Sequence, residues 1–183
     1  APKGVKSKSC KSNSFVPGTL VLMADGGRQP IENIQIGDLT LATDPVTSET
    51  RVESITDLIT GAGTKQLVKI GTDPDRDGYL DWVTATAGHL FWVAGDGWTT
   101  AGQLALGDLL IGDGGDVTRV IQLDVVARTA VVHNLTVNVT HTYYVMAGER
   151  ALLLHNITCA DGGPLKGCTR HGLNQAISRE ARV

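Results

Sequence analysis

Residues 135–156 read Leu135-Thr136-Val137-Asn138-Val139-Thr140-His141-Thr142-Tyr143-Tyr144-Val145-Met146-Ala147-Gly148-Glu149-Arg150-Ala151-Leu152-Leu153-Leu154-His155-Asn156. β-Branched and aromatic residues dominate the first part, which predicts strands over Leu135–Val139 and Thr142–Met146. The stretch ends on His155-Asn156, followed by Ile157, which carries no nucleophile. An asparagine side chain can attack the peptide bond that follows it and close to a succinimide. An adjacent imidazole is suited to moving the protons involved. A His-Asn pair alone is common, so its meaning depends on what surrounds it.

Further strand-like runs precede this stretch: Thr19–Met23, Asp38–Ala42, Arg51–Leu58, Gln66–Gly71, Leu80–Thr86, Leu90–Val93 and Val117–Val132. Ala-Asp-Gly-Gly, Asp-Pro, Gly-Ala-Gly and Gly-Asp-Gly lie between runs, where a reversing chain needs fixed or positive φ. Helical periodicity is weak and confined to Pro30–Ile36 and Ala101–Leu106, so the expected class is all-β. Ile34-Gln35-Ile36-Gly37-Asp38-Leu39 recurs in form as Leu104-Ala105-Leu106-Gly107-Asp108-Leu109. Such an echo is either a coincidence of two common turns or the mark of a fold made of two related halves.

The chain has 183 residues, enough for one domain with short tails. A formal net charge of −3 gives no reason to expect nucleic acid or an anionic membrane as partner of the main body. No apolar run reaches bilayer-spanning length, and the basic start from Lys3 to Lys11 is not followed by the apolar stretch of a signal peptide. Cys10, Cys159 and Cys168 are odd in number and form no CxxC. This argues against a disulfide framework and against a thiolate zinc site, though a Cys159–Cys168 bridge stays open. Residues 1–13 read as a flexible basic leader, 14–156 as the folded body, and 157–183 as a flank too short for a core of its own.

Four motifs in order carry a resemblance: Ser14-Phe15-Val16-Pro17-Gly18-Thr19, Thr86-x-x-His89, His141-Thr142-Tyr143 and His155-Asn156. Over 14–156 the chain resembles the Hint superfamily, the self-processing module of inteins, bacterial intein-like domains and hedgehog autoprocessing domains. It is most similar to the pretoxin Hint domains of bacterial polymorphic, Rhs-type toxins. The resemblance implies a pseudo-two-fold symmetric, intein-like horseshoe, which agrees with the internal echo. It also implies a monomer that takes its own flanks as substrate, with no cofactor. The flank from Ile157 would begin a truncated toxin module, and the whole would be delivered from the cell as part of a larger secreted or surface toxin.

Within that resemblance, Ser14 is the upstream nucleophile that would convert the Asn13–Ser14 peptide bond to an ester. A hydroxyl is a poorer nucleophile than the usual cysteine thiol, so this shift is expected to be slow. His89 is expected to contact the scissile amide there, with Thr86 helping to hold it. His141 would assist the downstream reaction, His155 would stabilise the oxyanion or protonate the leaving amine, and Asn156 would be the nucleophile. Splicing requires Cys, Ser or Thr after the asparagine. Ile157 therefore predicts cleavage after Asn156 without ligation. Plainer roles exist for each residue: a strand-start serine, a surface histidine, a turn partner or a strand cap.

Asp73-x-Asp75-x-Asp77-Gly78 resembles the first half of a calcium loop. Its twelfth position is Thr84 rather than a bidentate glutamate and its flanks read as strands, so a solvated hairpin tip is favoured. His133-Asn134, a second His-Asn pair, precedes more strand sequence and reads as incidental. The rival functions are a degenerate Hint domain serving as a structural connector and a calcium-binding β-module.

Overall fold

The computed structural model describes residues 13–156, and within them the chain forms thirteen strands. These are β1 (Leu20–Leu22), β2 (Arg28–Pro30), β3 (Leu39–Asp44), β4 (Glu49–Gly61), β5 (Thr64–Thr72), β6 (Asp81–Thr86) and β7 (Leu90–Val93). They continue as β8 (Gly97–Thr100), β9 (Leu109–Ile111), β10 (Val117–Thr129), β11 (Val132–Val137), β12 (Thr142–Ala147) and β13 (Arg150–His155). All strand pairs are antiparallel. One sheet runs β2-β1-β12-β13-β7-β9-β10-β5-β6 with β8 on β7, and a second runs β11-β4-β3. Phe15 joins the two, bridging His133 of β11 on one side and Ala85 of β6 on the other.

Strands β12, β13 and β7 form the wall between two cores, and period-two alternation decides which residue enters which. Tyr143, Val145, Leu152, Leu154, Phe91 and Val93 pack into the larger core, and Tyr144, Met146, Leu153, Leu90 and Trp98 into the smaller. Every residue of β12 is buried, since both faces are covered. The wall also explains Gly112, which bridges Leu152. A Cβ there would overlap the Ala151 carbonyl oxygen, so only glycine permits that approach.

The sequence echo is reproduced bond for bond. Gly37 N–H donates to the Ile55 carbonyl and Ile55 N–H to that of Asp38, at 2.8 and 2.9 Å. Gly107 with Val120, and Val120 with Asp108, repeat the pattern at 2.8 Å each. The Asp38 carboxylate caps the N–H of Gln35, as that of Asp108 caps Ala105, each at 2.9 Å. Gly37 and Gly107 take φ of 96° and 89°, which a side chain would strain. The all-β class and the two related halves are as the sequence predicts.

Several element bounds differ from expectation. The segments weakly marked as helical are single 3-10 turns at Ile31–Asn33 and Ala101–Gln103. The single run Val117–Val132 is interrupted at Ala130-Val131 into β10 and β11, which continue in one antiparallel register against β5 and β4, Thr129 opposite Thr64 and Val132 opposite Gly61, and β11 ends at Val137 rather than Val139. β13 carries Leu152-Leu153-Leu154, a continuous apolar run without alternation. A strand buried on both faces needs none, which is why the pattern does not announce it. The leader's Lys3 to Lys11, the three cysteines and the flank from Ile157 lie outside the described residues.

Phe15 is wholly buried and is the side chain by which the N-terminal segment enters the larger core. Phe15→Ala is expected to cost about 3–5 kcal/mol of unfolding free energy in urea titration. A loss below about 1 kcal/mol would show that the segment is not anchored there.

Candidate functional site

The upstream junction is held as a short antiparallel ladder. With Phe15 opposite Ala85, Ser14 faces Thr86: the Thr86 N–H donates to the Ser14 carbonyl at 2.8 Å, and the Ser14 N–H donates to Thr86 Oγ1 at 2.9 Å. The Ser14 nitrogen is the nitrogen of the Asn13–Ser14 peptide bond. Its partner is thus the threonine hydroxyl, whereas the sequence reading gave that contact to His89. His89 closes the turn after β6, its N–H donating to the Thr86 carbonyl at 3.0 Å, and its ring stands edge-on to Phe15 with centroids 4.4 Å apart. The ring is fully buried, and neither nitrogen has a hydrogen-bond partner among the described residues. Burial, with a smaller contribution from His155, holds its pKa down to about 3, so it is neutral at physiological pH.

The downstream junction is built by β12 and β13. Thr142 pairs with His155, and the Asn156 N–H extends the ladder to the His141 carbonyl at 2.7 Å. Alternation then sends neighbouring side chains to opposite faces. His155 turns toward Trp98 at 5.1 Å between ring centres and toward His141 at 6.5 Å. Asn156 turns toward β11 and is 1% exposed. Burial and, secondarily, the charge of His141 lower the His155 pKa to about 4. Its Nδ1 is shielded from solvent without a partner among the described residues.

Asn156 is fixed at both ends of its carboxamide. Nδ2 donates to the Leu135 carbonyl in a short hydrogen bond, and Oδ1 accepts from Asn134 Nδ2 at 3.0 Å. Asn134 Oδ1 in turn accepts from the Tyr143 hydroxyl and from the Leu135 N–H, both at 2.8 Å. Tyr143 is fully buried and its pKa is raised by that burial, so its hydroxyl stays a donor. The expectation that His133-Asn134 is incidental therefore does not hold for Asn134. Because Phe15 pairs with His133, Asn134 also lies opposite Ser14 in register, between the two junctions. A polar residue at a buried position of β11 was the available signal.

Loop 138–141 presents His141, and two of its residues take positive φ, Val139 at 56° and His141 at 54°. For a β-branched residue this is a true outlier, costing about 1–3 kcal/mol, of the kind that persists where surrounding contacts over-determine it. His141 and His155 line a groove of about 320 Å3 with Trp98, Val139, Thr142 and the β3–β4 turn.

Asp73, Asp75 and Asp77 sit at the tip between β5 and β6, with ligand oxygens within 4.8 Å of one another. The carboxylates serve the turn itself: Asp73 accepts from the N–H groups of Asp77 and Gly78, and Asp77 from that of Tyr79. Of the residues singled out from sequence, Ser14, Thr86 and His89 meet at the upstream junction, and His141, His155 and Asn156 at the downstream one, with His141 at the solvent edge. The aspartates lie at a separate, exposed tip.

The sequence profile of the pretoxin HINT domain matches residues 20–157. No curated protein matches the chain. Among solved structures, the bacterial intein-like domain from Clostridium thermocellum is 31% identical, covering 79% of this chain and 99% of its own, with a TM-score of 0.70. A DnaB intein from Synechocystis sp. PCC 6803 is 18% identical over 80% of this chain and 100% of its own (TM-score 0.66). The DnaX mini intein from Spirulina platensis is 17% identical over 78% and 99% (TM-score 0.62). The two inteins share the fold, while the profile spans most of the described residues and meets the intein-like likeness on the same body. The chain belongs to the pretoxin Hint domain family, within the Hint superfamily of self-processing domains.

Proposed function

We propose that this domain cleaves its own chain after Asn156 and so releases the downstream polypeptide, a toxin, with Ile157 as its first residue. The observation that carries the reading is the buried, doubly tethered Asn156 carboxamide, at the end of a strand whose preceding residue is a buried imidazole. Asn156 Nδ2 attacks its own backbone carbonyl carbon, and the bond from that carbon to the Ile157 nitrogen breaks. A proton leaves the attacking nitrogen as another reaches the departing amine. The Leu135 carbonyl gives the Nδ2 proton an acceptor, while Asn134 and Tyr143 hold the carboxamide against rotation. Holding a nucleophile in one orientation removes part of the entropic cost of its attack. His155, neutral because it is buried, stands on the other face of the strand from the carboxamide, so its proton goes to the departing amine and is replaced from the groove that it shares with His141. The succinimide left on Asn156 is then opened by water.

The flanks are not joined, because Ile157 offers no side chain to accept the upstream acyl group. At the other junction, Thr86 Oγ1 on the scissile N–H and the ring of His89 provide for an acyl shift to Ser14 Oγ, slowed by the weak nucleophilicity of the hydroxyl. In a toxin polypeptide exported from the cell, downstream cleavage would part the delivery portion from its cargo.

Intact-mass spectrometry over time is expected to show a break between Asn156 and Ile157 that disappears in Asn156→Ala and slows about ten- to a hundredfold in Asn134→Ala. A chain that stays whole from pH 5 to 9 would favour the structural connector instead. Ser14→Cys is expected to make the upstream linkage cleavable by hydroxylamine within hours, where the parent reacts little; equal reaction of both would contradict the Ser14 assignment.

His89 and His155 bind a proton near pH 6.5 once unfolded, but only near about 3 and about 4 when folded. The unfolded state thus holds more protons below pH 6.5, and stability falls as pH drops from there toward 4. The thermal midpoint is expected to decline over that window and to decline less in His89→Leu. A flat profile in the parent would contradict the buried neutral histidines.

A further inference from the structure

Among the described residues Glu53, on β4, is the one carboxylate that is buried, at 8% exposure. A buried carboxylate is costly unless its oxygens are well bonded. Its bonds run to a single residue: Glu53 Oε2 accepts from Thr140 N–H at 3.2 Å and from Thr140 Oγ1 at 2.8 Å. Thr140 lies between Val139 and His141, the two residues of positive φ. On the adjoining residue of the same strand, the Ser54 carbonyl accepts the Asn138 N–H at 3.0 Å. Two consecutive residues of β4 therefore grip the loop, one at its start and one at its centre.

We propose that Glu53 is a positioning residue for cleavage after Asn156, acting through Thr140 to hold the 138–141 loop so that His141 stands beside His155 and Asn156. The inference rests on the proposed function. A carboxylate can only accept, so it commits the Thr140 hydroxyl proton to itself, and Thr140 Oγ1 lies 3.3 Å from Thr142 Oγ1 without taking its proton. Thr142 also accepts from the Thr43 N–H at 3.0 Å and donates to the Thr43 carbonyl at 2.9 Å. This ties the first residue of β12 to β3. His141 sits between the two anchored threonines, and its carbonyl receives the Asn156 N–H. Release of Thr140 would let a loop that strains at Val139 and His141 relax toward negative φ, displacing both the His141 ring and the carbonyl that carries Asn156. Glu53 bonds to no atom of Asn156, so its effect is on placement.

The test compares the full chain with Glu53→Ala, Glu53→Gln, Thr140→Val and the double variant Glu53→Ala/Thr140→Val, reading the rate of the Asn156–Ile157 break by intact mass and the melting temperature beside it. Glu53→Ala and Thr140→Val are each expected to slow cleavage about ten- to a hundredfold. The double variant should be no slower than the slower single, because both remove one contact. Glu53→Gln should stay within about threefold of the parent, since its amide oxygen still accepts from Thr140. Cleavage by Glu53→Ala and Thr140→Val at the parental rate, losses that multiply in the double variant, or Glu53→Gln as slow as Glu53→Ala would each overturn the inference. Should Glu53→Ala not fold, the rates of Thr140→Val and Glu53→Gln decide between the same outcomes. A parent chain that never cleaves would instead sink the proposed function, and the clamp with it.

Discussion

The arrangement depends on the antiparallel register of β12 against β13, in which Thr142 faces His155 and the His141 carbonyl takes the N–H of Asn156. That register places two adjacent residues on opposite faces of a wall with a core on either side. His155 is sent toward Trp98 and the groove, and Asn156 toward β11 and the larger core. A slip of one residue would exchange them, setting the imidazole among aliphatic side chains and the carboxamide at the groove. Strand geometry thereby orients His155 and Asn156, provided both faces of the wall are packed, while the 138–141 loop presents His141.

Packing also sets the protonation states. His89 and His155 are kept neutral by burial, and each is further discouraged from charging by another histidine, His155 in the first case and His141 in the second. A line of imidazoles running from buried to exposed keeps the inner members neutral while the outer one meets solvent. Asn134 links the two ends of the site without titrating. It bonds to Asn156, receives the Tyr143 hydroxyl and lies opposite Ser14. Asn134 thus bonds to one junction and stands opposite the other.

Much of this was legible in the sequence because it is carried by local pattern. The alternating runs, the turn glycines and the echo of residues 34–39 in 104–109 predict an all-β body of two related halves, and the shared bonds of Gly37 and Gly107 bear this out. Ser14, Thr86, His89, His141, His155 and Asn156 are marked by motifs that resemble those of the Hint superfamily. What could not be read depends on register between distant strands. The Leu135 carbonyl is invisible in a one-letter code. Asn134 reads as incidental because its partner is 22 residues away, and nothing in the sequence marks Glu53, whose partner Thr140 is 87 residues away. The Ser14 N–H meets Thr86 rather than His89 because Thr86, the last residue of β6, stands directly opposite Ser14 in register.

The central claim is that the Asn156 carboxamide is locked and dry. Nuclear magnetic resonance of 15N-labelled protein tests it directly, by following hydrogen exchange of the two Asn156 Nδ2 protons. The account predicts two well-separated proton resonances that exchange far more slowly than those of exposed asparagines, with one proton close in space to β11. Averaged shifts and exchange at the rate of a free carboxamide would contradict it.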